Sequence, residues 1–138
     1  MTTLDLSQVR PGLVGAATLV VGAEHTAPQV GSGRIAVLAT PVMINVIEAA
    51  ALAAAEHLLP AGHQSLGIKL DVGHFAATPV GMKVTAHAEV VAVDGRTIRF
   101  KVTARDEREE IGGGTHDRVV VNVERYEARV RRKAAGGA

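Results

Sequence analysis

The sequence predicts an α+β domain in which a curved antiparallel β-sheet wraps around one long central α-helix. The stretch from Pro41 to Leu59 is apolar on almost every side and contains Glu48 near its middle. After this stretch the repeat changes from 3.6 residues to an alternation of period two, which is typical of half-buried strands. A helix that is apolar all round needs more cover than one flat sheet provides. We therefore expect either a sheet that curls around it or a second subunit that completes its burial.

Length and composition narrow the class of protein. The chain has 138 residues, with 15 Lys plus Arg, 14 Asp plus Glu and no cysteine. We expect a single domain over residues 1–138, with its core at about 12–123 and a charged tail at 124–138. A formal charge of +1 offers no broad positive surface to nucleic acid. The lack of cysteine excludes disulfides, thiolate nucleophiles and cysteine-ligated zinc.

The N-terminal residues and the apolar stretch bear on localisation. The N-terminus has no basic segment followed by an apolar run, so no targeting peptide is indicated and we expect a cytoplasmic protein. The run from Pro41 to Ala55 is shorter than the ~20 residues that a membrane span needs, and it contains Glu48. We therefore expect a buried helix and no membrane association.

Local signals predict the first two elements. The segment from Gly12 to Val21 is uncharged and rich in β-formers, which predicts a strand, and a loop follows it. Thr40 and Pro41 predict the start of the long helix, with Thr40 as its N-cap. The helix should end before Pro60.

Four strands and a tail follow the helix. In the first of these strands Lys69 and Asp71 should face outward, while four residues share the inward face: Ile68, Leu70, Val72 and His74. Asp94-Gly95 predicts a hairpin between the next two strands. The last strand is centred on Thr115 to Val123, and a charged helix is expected from Glu124 to Lys133. Gly112 to Gly114 have no helix or Lys-Ser/Thr pair after them, which favours a bulge or tight turn over a phosphate loop.

Glu48 is the most informative candidate for chemistry. No other charge lies between Val42 and Ala55, and the residues one turn away are Ile44, Asn45, Ala51 and Leu52. A carboxylate placed there loses water, which favours its protonated form and suits a base or nucleophile working near neutral pH. The alternative is a glutamate on the solvent-facing edge of the helix, with Glu56 farther along.

His74 and Thr40 are weaker candidates on position alone. A histidine on an apolar face is more often a core residue than a catalyst. Thr40 fits an N-cap, although the same helix start offers free N–H groups and a positive dipole end to an oxyanion. The other histidines lie in predicted loops or on polar faces without metal-ligand spacing, so no metal is expected; they are His25, His57, His63, His87 and His116.

Several motifs occur together in a fixed order. They are Thr40-Pro41 followed by Glu48, then Ser65-Leu66-Gly67, then His74 with Ala76-Ala77-Thr78-Pro79-x-Gly81, and finally Ile111-Gly112-x-Gly114-Thr115-His116-x-Arg118. In this order and spacing they resemble the fluoroacetyl-CoA thioesterase family of hotdog-fold proteins, over about residues 12–130. The resemblance implies a hotdog fold, acyl-CoA hydrolysis, a catalytic trio of Thr40, Glu48 and His74, and substrate contacts from Gly67 and Arg118. We add Phe75 and Asn45 as expected substrate contacts.

The segment before Thr40 departs from the family pattern. In the fluoroacetate-specific member this segment is longer and supplies aromatic residues to a lid over the acyl pocket. Residues 25–39 of this chain are compact and contain no aromatic side chain. The resemblance therefore favours a short acyl-CoA as substrate, with no separate cofactor because coenzyme A is part of the substrate.

The distance between two of the candidates bears on assembly. Eight residues of helix rise about 12 Å, so Thr40 and Glu48 of one helix cannot hold the same substrate atom. Hotdog thioesterases commonly form sites between subunits, and we predict a homodimer or higher oligomer in which one subunit supplies Thr40 and the other Glu48. Two alternatives stay open. One is a non-catalytic acyl-CoA-binding or regulatory dimer, and the other is a hydratase, whose expected Asp and His pair near the helix start is missing here.

Overall fold

The computed structural model describes residues 4–137, and in this part of the chain five strands form one antiparallel sheet. The strand order is β1-β3-β4-β5-β2. Two short 3-10 turns, Ala23–His25 and Glu56–Leu58, flank the helices α1 and α2. The elements are β1 (Val14–Val20), α1 (Ala27–Val30), α2 (Thr40–Ala55), β2 (His63–His74), β3 (Lys83–Asp94), β4 (Thr97–Arg105), β5 (Glu110–Asn122) and α3 (Val123–Ala134).

Helix α2 is the centre of the core. It packs mainly over β1 and β3, with a smaller contact to β4. Its buried face is built largely from alanines, which let the helix come close to the sheet: Met43, Val46, Ile47, Ala50, Ala51, Ala54 and Ala55. The inward residues of β3 and β4 alternate as predicted and are buried: Val84, Ala86, Ala88, Val90, Ile98, Phe100, Val102 and Ala104. The inner side of β2 is left largely uncovered.

Helix α2 resembles a membrane span in its length and apolar composition. Together with the 3-10 turn that follows it, the segment Thr40–Leu58 is long and apolar enough to cross a bilayer. That resemblance rests on length and composition alone. Its buried residues form the core with β1 and β3, so packing within the domain accounts for its apolar character.

Gly15 determines how closely β1 approaches α2. A Cβ on this residue would lie 2.3 Å from Ala54 N and 2.5 Å from Ala50 O, which are backbone atoms that cannot turn aside. We expect Gly15→Ala to lower the free energy of unfolding by about 3 kcal/mol, because the strand or the helix must shift. Urea denaturation measures the change. Gly73→Ala is the matched control, since its Cβ would meet only Phe75 Cδ1 at 3.7 Å; equal stability of the two variants would contradict this packing.

Strand β2 differs from its prediction. It lies at an edge of the sheet, and its register with β5 slips between Gly67 and Lys69. Because of the slip Gly67 faces α2, and Ile68 leaves the predicted inward face and is 56% exposed. Leu70 is 36% exposed because α2 covers β1 and β3 instead of β2. The burial expected for the inward face is therefore confirmed on β3 and β4 and wrong for Ile68 and Leu70 of β2, whereas Val72 of β2 packs against the core.

The three glycines Gly112 to Gly114 do not form a turn. They lie inside β5 and pair with β2 on one side and β4 on the other. Gly114 has φ +153°, and a Cβ there would lie 2.0 Å from Asp71 O, so no larger residue fits. The predicted tight turn is wrong, and the nearest bulge lies just before the glycines, where the register slips between Ala104 and Arg105 of β4.

The hairpin between β3 and β4 is confirmed, with its turn one residue later than expected. Asp94 pairs with Thr97, so the two turn residues are Gly95 and Arg96. Gly95 has φ +60°, as the first central residue of a type II′ turn requires. The charged helix expected after the last strand is also confirmed, as α3.

Thr78 explains part of the motif from Ala76 to Gly81. It is fully buried, and its hydroxyl donates to Asp106 Oδ2 at 2.9 Å. Burial acts to raise the pKa of Asp106, but this bond and two backbone N–H groups that donate to Oδ1 hold that pKa below its usual value. The motif therefore ties the segment after His74 to the turn between β4 and β5.

Candidate active site

Thr40 and His74 meet at the start of α2. Strand β2 ends at His74 and α2 begins at Thr40, and Thr40 Oγ1 lies 2.7 Å from His74 Nδ1. The predicted N-cap role of Thr40 is wrong, because Ala39 holds the N-cap position and no side chain caps the helix. The threonine hydroxyl is bonded to the imidazole instead.

The His74 ring has one satisfied and one unsatisfied nitrogen. Nε2 is buried and has no hydrogen-bond partner among the described residues. A buried polar atom without a partner costs about 1–3 kcal/mol, so this nitrogen favours a bound water or substrate group. Burial also lowers the pKa of His74, and the nearby backbone of Ala76 opposes this shift without cancelling it. The neutral imidazole is therefore favoured at neutral pH.

A cavity of about 290 Å³ opens beside this pair. Thr40, His74 and Phe75 form part of its wall, and Phe75 is 65% exposed. The rest of the wall is made of small or aliphatic side chains, several of them from the segment before α2: Ala27, Ser32, Val37, Leu38, Ala76 and Ala77. None of these lining residues carries a charge, which agrees with the burial effect on His74.

Glu48 lies about two turns farther along α2. Its Oε2 accepts a hydrogen bond from Arg118 Nη1 at 3.3 Å, and its side chain is 34% exposed. Gly67 faces the carboxylate so closely that a Cβ there would lie 2.5 Å from Oε2. The expectation that Glu48 loses its contact with water is therefore wrong within one chain, because the side chain keeps access to solvent, and Arg118 supplies a cationic partner.

Arg118 is 5% exposed and is bonded through all three of its nitrogens. Nε donates to Ser65 Oγ at 2.8 Å and Nη2 to the Ser65 carbonyl at 3.1 Å. Nη1 lies between Glu48 and His116, whose Nε2 is 3.2 Å away. Ser65 in turn donates its N–H and its hydroxyl to the Glu56 carboxylate at 2.9 and 2.5 Å. Glu48 therefore lies at one end of a series of hydrogen bonds that runs through Arg118 and Ser65 to Glu56 at the far end of α2.

The sequence did not predict Ser65, Glu56 or His116 as parts of the site. His116 was expected on a polar face or in a loop, which is wrong, because it is fully buried and its Nδ1 lies 2.9 Å from the Lys69 carbonyl. A usable signal existed, since His116 and Arg118 are two residues apart in a strand and must share a face. No such signal existed for Glu56, whose contact depends on where the helix tightens into its 3-10 turn.

Within one chain the structure forms two separate clusters. Thr40 and His74 line a cavity that does not include Glu48, and no hydrogen bond among the described residues joins the two. Asn45 lines a third space, a cavity of about 270 Å³ between α2 and β1. The roles of Asn45, Phe75, Gly67 and Arg118 in binding substrate stay predictions. In the described chain no group of three or more His, Asp or Glu residues could hold a metal ion.

This fold, with its site around a long helix, belongs to the hotdog class of thioesterases. A structure of the fluoroacetyl-CoA thioesterase FlK matches with a TM-score of 0.85 and 36% identity, covering 91% of this chain and 97% of that one. A hot-dog-like protein from Thermanaerovibrio acidaminovorans matches with a TM-score of 0.81 over 89% of this chain and 91% of its own; at 23% identity it supports the fold alone. The predicted hotdog fold is confirmed.

Sequence similarity identifies the family within the hotdog class to which this chain belongs. The family model described as FlK, fluoroacetyl-CoA-specific thioesterase, matches residues 21–124. The fluoroacetyl-CoA thioesterase of Streptantibioticus cattleyicolor is 43% identical over 101 residues, which are 73% of each chain. This chain belongs to the fluoroacetyl-CoA-specific thioesterase family and is therefore a thioester hydrolase. The resemblance inferred from the motifs is confirmed.

Proposed function

We propose that this protein hydrolyses a short acyl-CoA at sites shared between two copies of the chain. One copy supplies Thr40 and His74, and the other supplies Glu48. The observation that carries the proposal is the separation of the two clusters, since Thr40 and His74 flank a cavity that Glu48 of the same chain does not line. Family membership supports thioester hydrolysis, and the separation supports sharing.

The free edge of the sheet supports pairing of two copies. Strand β2 has 12 residues and lies at the sheet edge, with β5 on one side. Its apolar side chains are exposed, with Leu66 at 38%, Ile68 at 56% and Leu70 at 36%. A long edge strand with exposed apolar residues is a template for pairing with another chain. A second copy laid along β2 would cover these residues and bring its own α2 near the uncovered inner face.

The proposed reaction adds water across the carbon–sulfur bond of the thioester. The oxygen of water attacks the carbonyl carbon after losing a proton to Glu48, or the Glu48 carboxylate attacks first and water then opens the resulting anhydride. The bond to sulfur breaks, and His74, which starts neutral, takes up a proton from water and passes it to the coenzyme A thiolate. The products are a carboxylate, a thiol and one released proton.

Two features at the start of α2 fit this chemistry. The hydroxyl of Thr40 fixes the His74 ring through Nδ1, which leaves the unbonded Nε2 for proton transfer. The N–H of Thr40, which has no hydrogen-bond partner among the described residues, and the positive dipole end of α2 lie together here. They can stabilise the oxygen of the attacked carbonyl as it becomes negative.

The cavity beside His74 supports a short acyl group. Its volume of about 290 Å³ lies just below the roughly 300–1,000 Å³ typical of ligand sites. Ala27, Ser32 and Val37 come from the segment before α2, which contains no Phe, Tyr or Trp, and Phe75 is the one residue of those three types in this lining. We expect short acyl groups in general to be accepted, without a preference for fluoroacetyl.

A panel of acyl-CoA substrates tests the activity. Free thiol is measured with acetyl-CoA, fluoroacetyl-CoA, longer aliphatic thioesters and an aromatic thioester. The highest kcat/KM is expected for the aliphatic members of two to four carbons, and little hydrolysis is expected for the aromatic one. Absence of hydrolysis for every member would contradict the proposed function.

Mixing two inactive variants tests whether the site is shared. A dimer that combines a Thr40→Ala chain with a Glu48→Gln chain has one site with both substitutions and one intact site. An equal, co-refolded mixture should regain about a quarter of the wild-type rate, because half of the dimers are mixed and each holds one intact site. Mixing Thr40→Ala with His74→Gln is the control and should regain nothing, since both residues come from the same chain. If the first mixture stays inactive, the shared site is wrong.

A further inference from the structure

We infer that Glu56 and Ser65 are positioning residues that hold Arg118, and that Arg118 in turn holds the Glu48 carboxylate in its reacting orientation. The inference rests on the proposed role of Glu48. It deepens that role by assigning a function to three polar residues that need not touch the substrate. All three belong to the series of hydrogen bonds that runs from the end of α2 through β2 to β5.

The direction of each hydrogen bond in this series is determined at the Glu56 end. An ionised carboxylate only accepts hydrogen bonds, so the hydroxyl proton of Ser65 must point to Glu56. The lone pairs of Ser65 Oγ are then left for Arg118 Nε, which donates at 2.8 Å. Glu56 therefore orients the Ser65 hydroxyl so that it can receive Arg118.

The orientation of Arg118 is equally restricted at its other end. His116 has the Lys69 carbonyl beside Nδ1, so this nitrogen donates and Nε2 is the acceptor for Arg118 Nη1. The guanidinium is a rigid planar fork, and with Nε and Nη2 held by Ser65 its Nη1 can point only toward His116 and Glu48. At 5% exposure there is no solvent position to which Arg118 could swing.

The fixed position of Arg118 makes the two carboxylate oxygens of Glu48 differ in their contacts. Oε2 is held by Arg118 at 3.3 Å and lies against Gly67. Oε1 has no partner among the hydrogen bonds of the described residues, and the side chain keeps 34% of its exposure. Arg118 thus selects Oε1 as the oxygen that can take a proton or attack.

Two further observations favour a positioning role over chance. Glu56 lies at the C-terminal end of α2, where the helix dipole disfavours a negative charge, so its bonds to Ser65 compensate a local electrostatic cost. Helix α2 packs mainly over β1 and β3; the Thr40–His74 contact joins its start to β2, and the bonds of Glu56 and Glu48 join the rest of it to β2 and β5. This series of hydrogen bonds therefore fixes the position of Glu48 relative to β2 and β5.

Glu56→Gln and Ser65→Ala test the inference. Each is expected to lower kcat about 10- to 100-fold, because Arg118 and then Glu48 lose their fixed positions, while KM changes less than about threefold. Glu89→Gln is the matched control, since Glu89 is exposed on β3 and has no hydrogen bond of this kind. If both variants keep the kcat of the control, the positioning role is wrong.

A double substitution separates positioning from a general effect on folding. With Glu48→Gln already present, Glu56→Gln should cause no further loss of the residual rate in single-turnover assays. It should lower the unfolding temperature by the same amount on the Glu48→Gln background and on the wild-type background. An equal loss of rate on both backgrounds would overturn the inference. An unchanged rate in Glu48→Gln alone would instead overturn the proposed role of Glu48, so the two failures are distinct.

Discussion

Replacing Glu48 by glutamine is expected to lower kcat about 10³-fold while KM changes less than about threefold. Glutamine has the same shape, and its amide oxygen can still accept from Arg118 Nη1 at the position of Oε2. It cannot take a proton from water or attack the thioester carbonyl. The loss should therefore appear in the chemical step, with binding of the substrate retained.

Two measurements decide the role of Glu48. Release of free thiol at saturating acyl-CoA gives kcat, and calorimetric titration with a thioether analogue of the substrate gives binding without turnover. Glu89→Gln carries the same loss of charge at an exposed strand position and should behave as the wild type. An unchanged kcat in Glu48→Gln would exclude Glu48 as a catalytic residue, and a joint loss of binding and turnover would indicate a structural role.

The sequence predicted well the burial of those strands whose apolar face packs against another element of the same chain. The alternation on β3 and β4 is buried as expected, because α2 of the same chain packs on that face. On β2 the same pattern failed for Ile68 and Leu70, which stay 56% and 36% exposed in the described chain. Periodicity also does not detect the slip at Gly67, because one added residue changes the face without changing the composition.

The candidate site shows the same division between local and non-local information. The apolar surroundings of Glu48 could be recognised along the helix, but its partner Arg118 lies 70 residues away in sequence and comes near only in the folded sheet. For Thr40 the local signal was misleading, since a threonine before Pro41 fits an N-cap. The helix begins one residue earlier than a Thr40 cap requires, with Ala39 as N-cap, and this frees the hydroxyl for His74.

Replacing His74 by glutamine is expected to lower kcat/KM about 10²-fold, because the proton carrier of the site is lost. The wild-type pH profile should identify the same group. Burial lowers the pKa of His74 from its usual 6.5, so the neutral ring persists to a lower pH than an ordinary histidine allows. The acid limb of kcat/KM that belongs to His74 should therefore be centred below pH 6.5 and should be missing from His74→Gln. A limb centred above pH 6.5 that disappears in the variant would contradict the burial of the ring.

The lowered pKa of His74 also predicts how stability changes with pH. The unfolded chain binds the proton near the usual value of 6.5, whereas the folded chain binds it only at lower pH. The unfolded state therefore holds more protons between these values, and the free energy of unfolding falls as the pH drops through them. Above about pH 6.5 the ring is neutral in both the folded and the unfolded state, so it no longer makes the free energy of unfolding depend on pH. Urea denaturation at pH 7.5 and pH 5 should show a smaller loss in His74→Gln than in the wild type, and an equal loss would mean that the ring is not held in its neutral form by the fold.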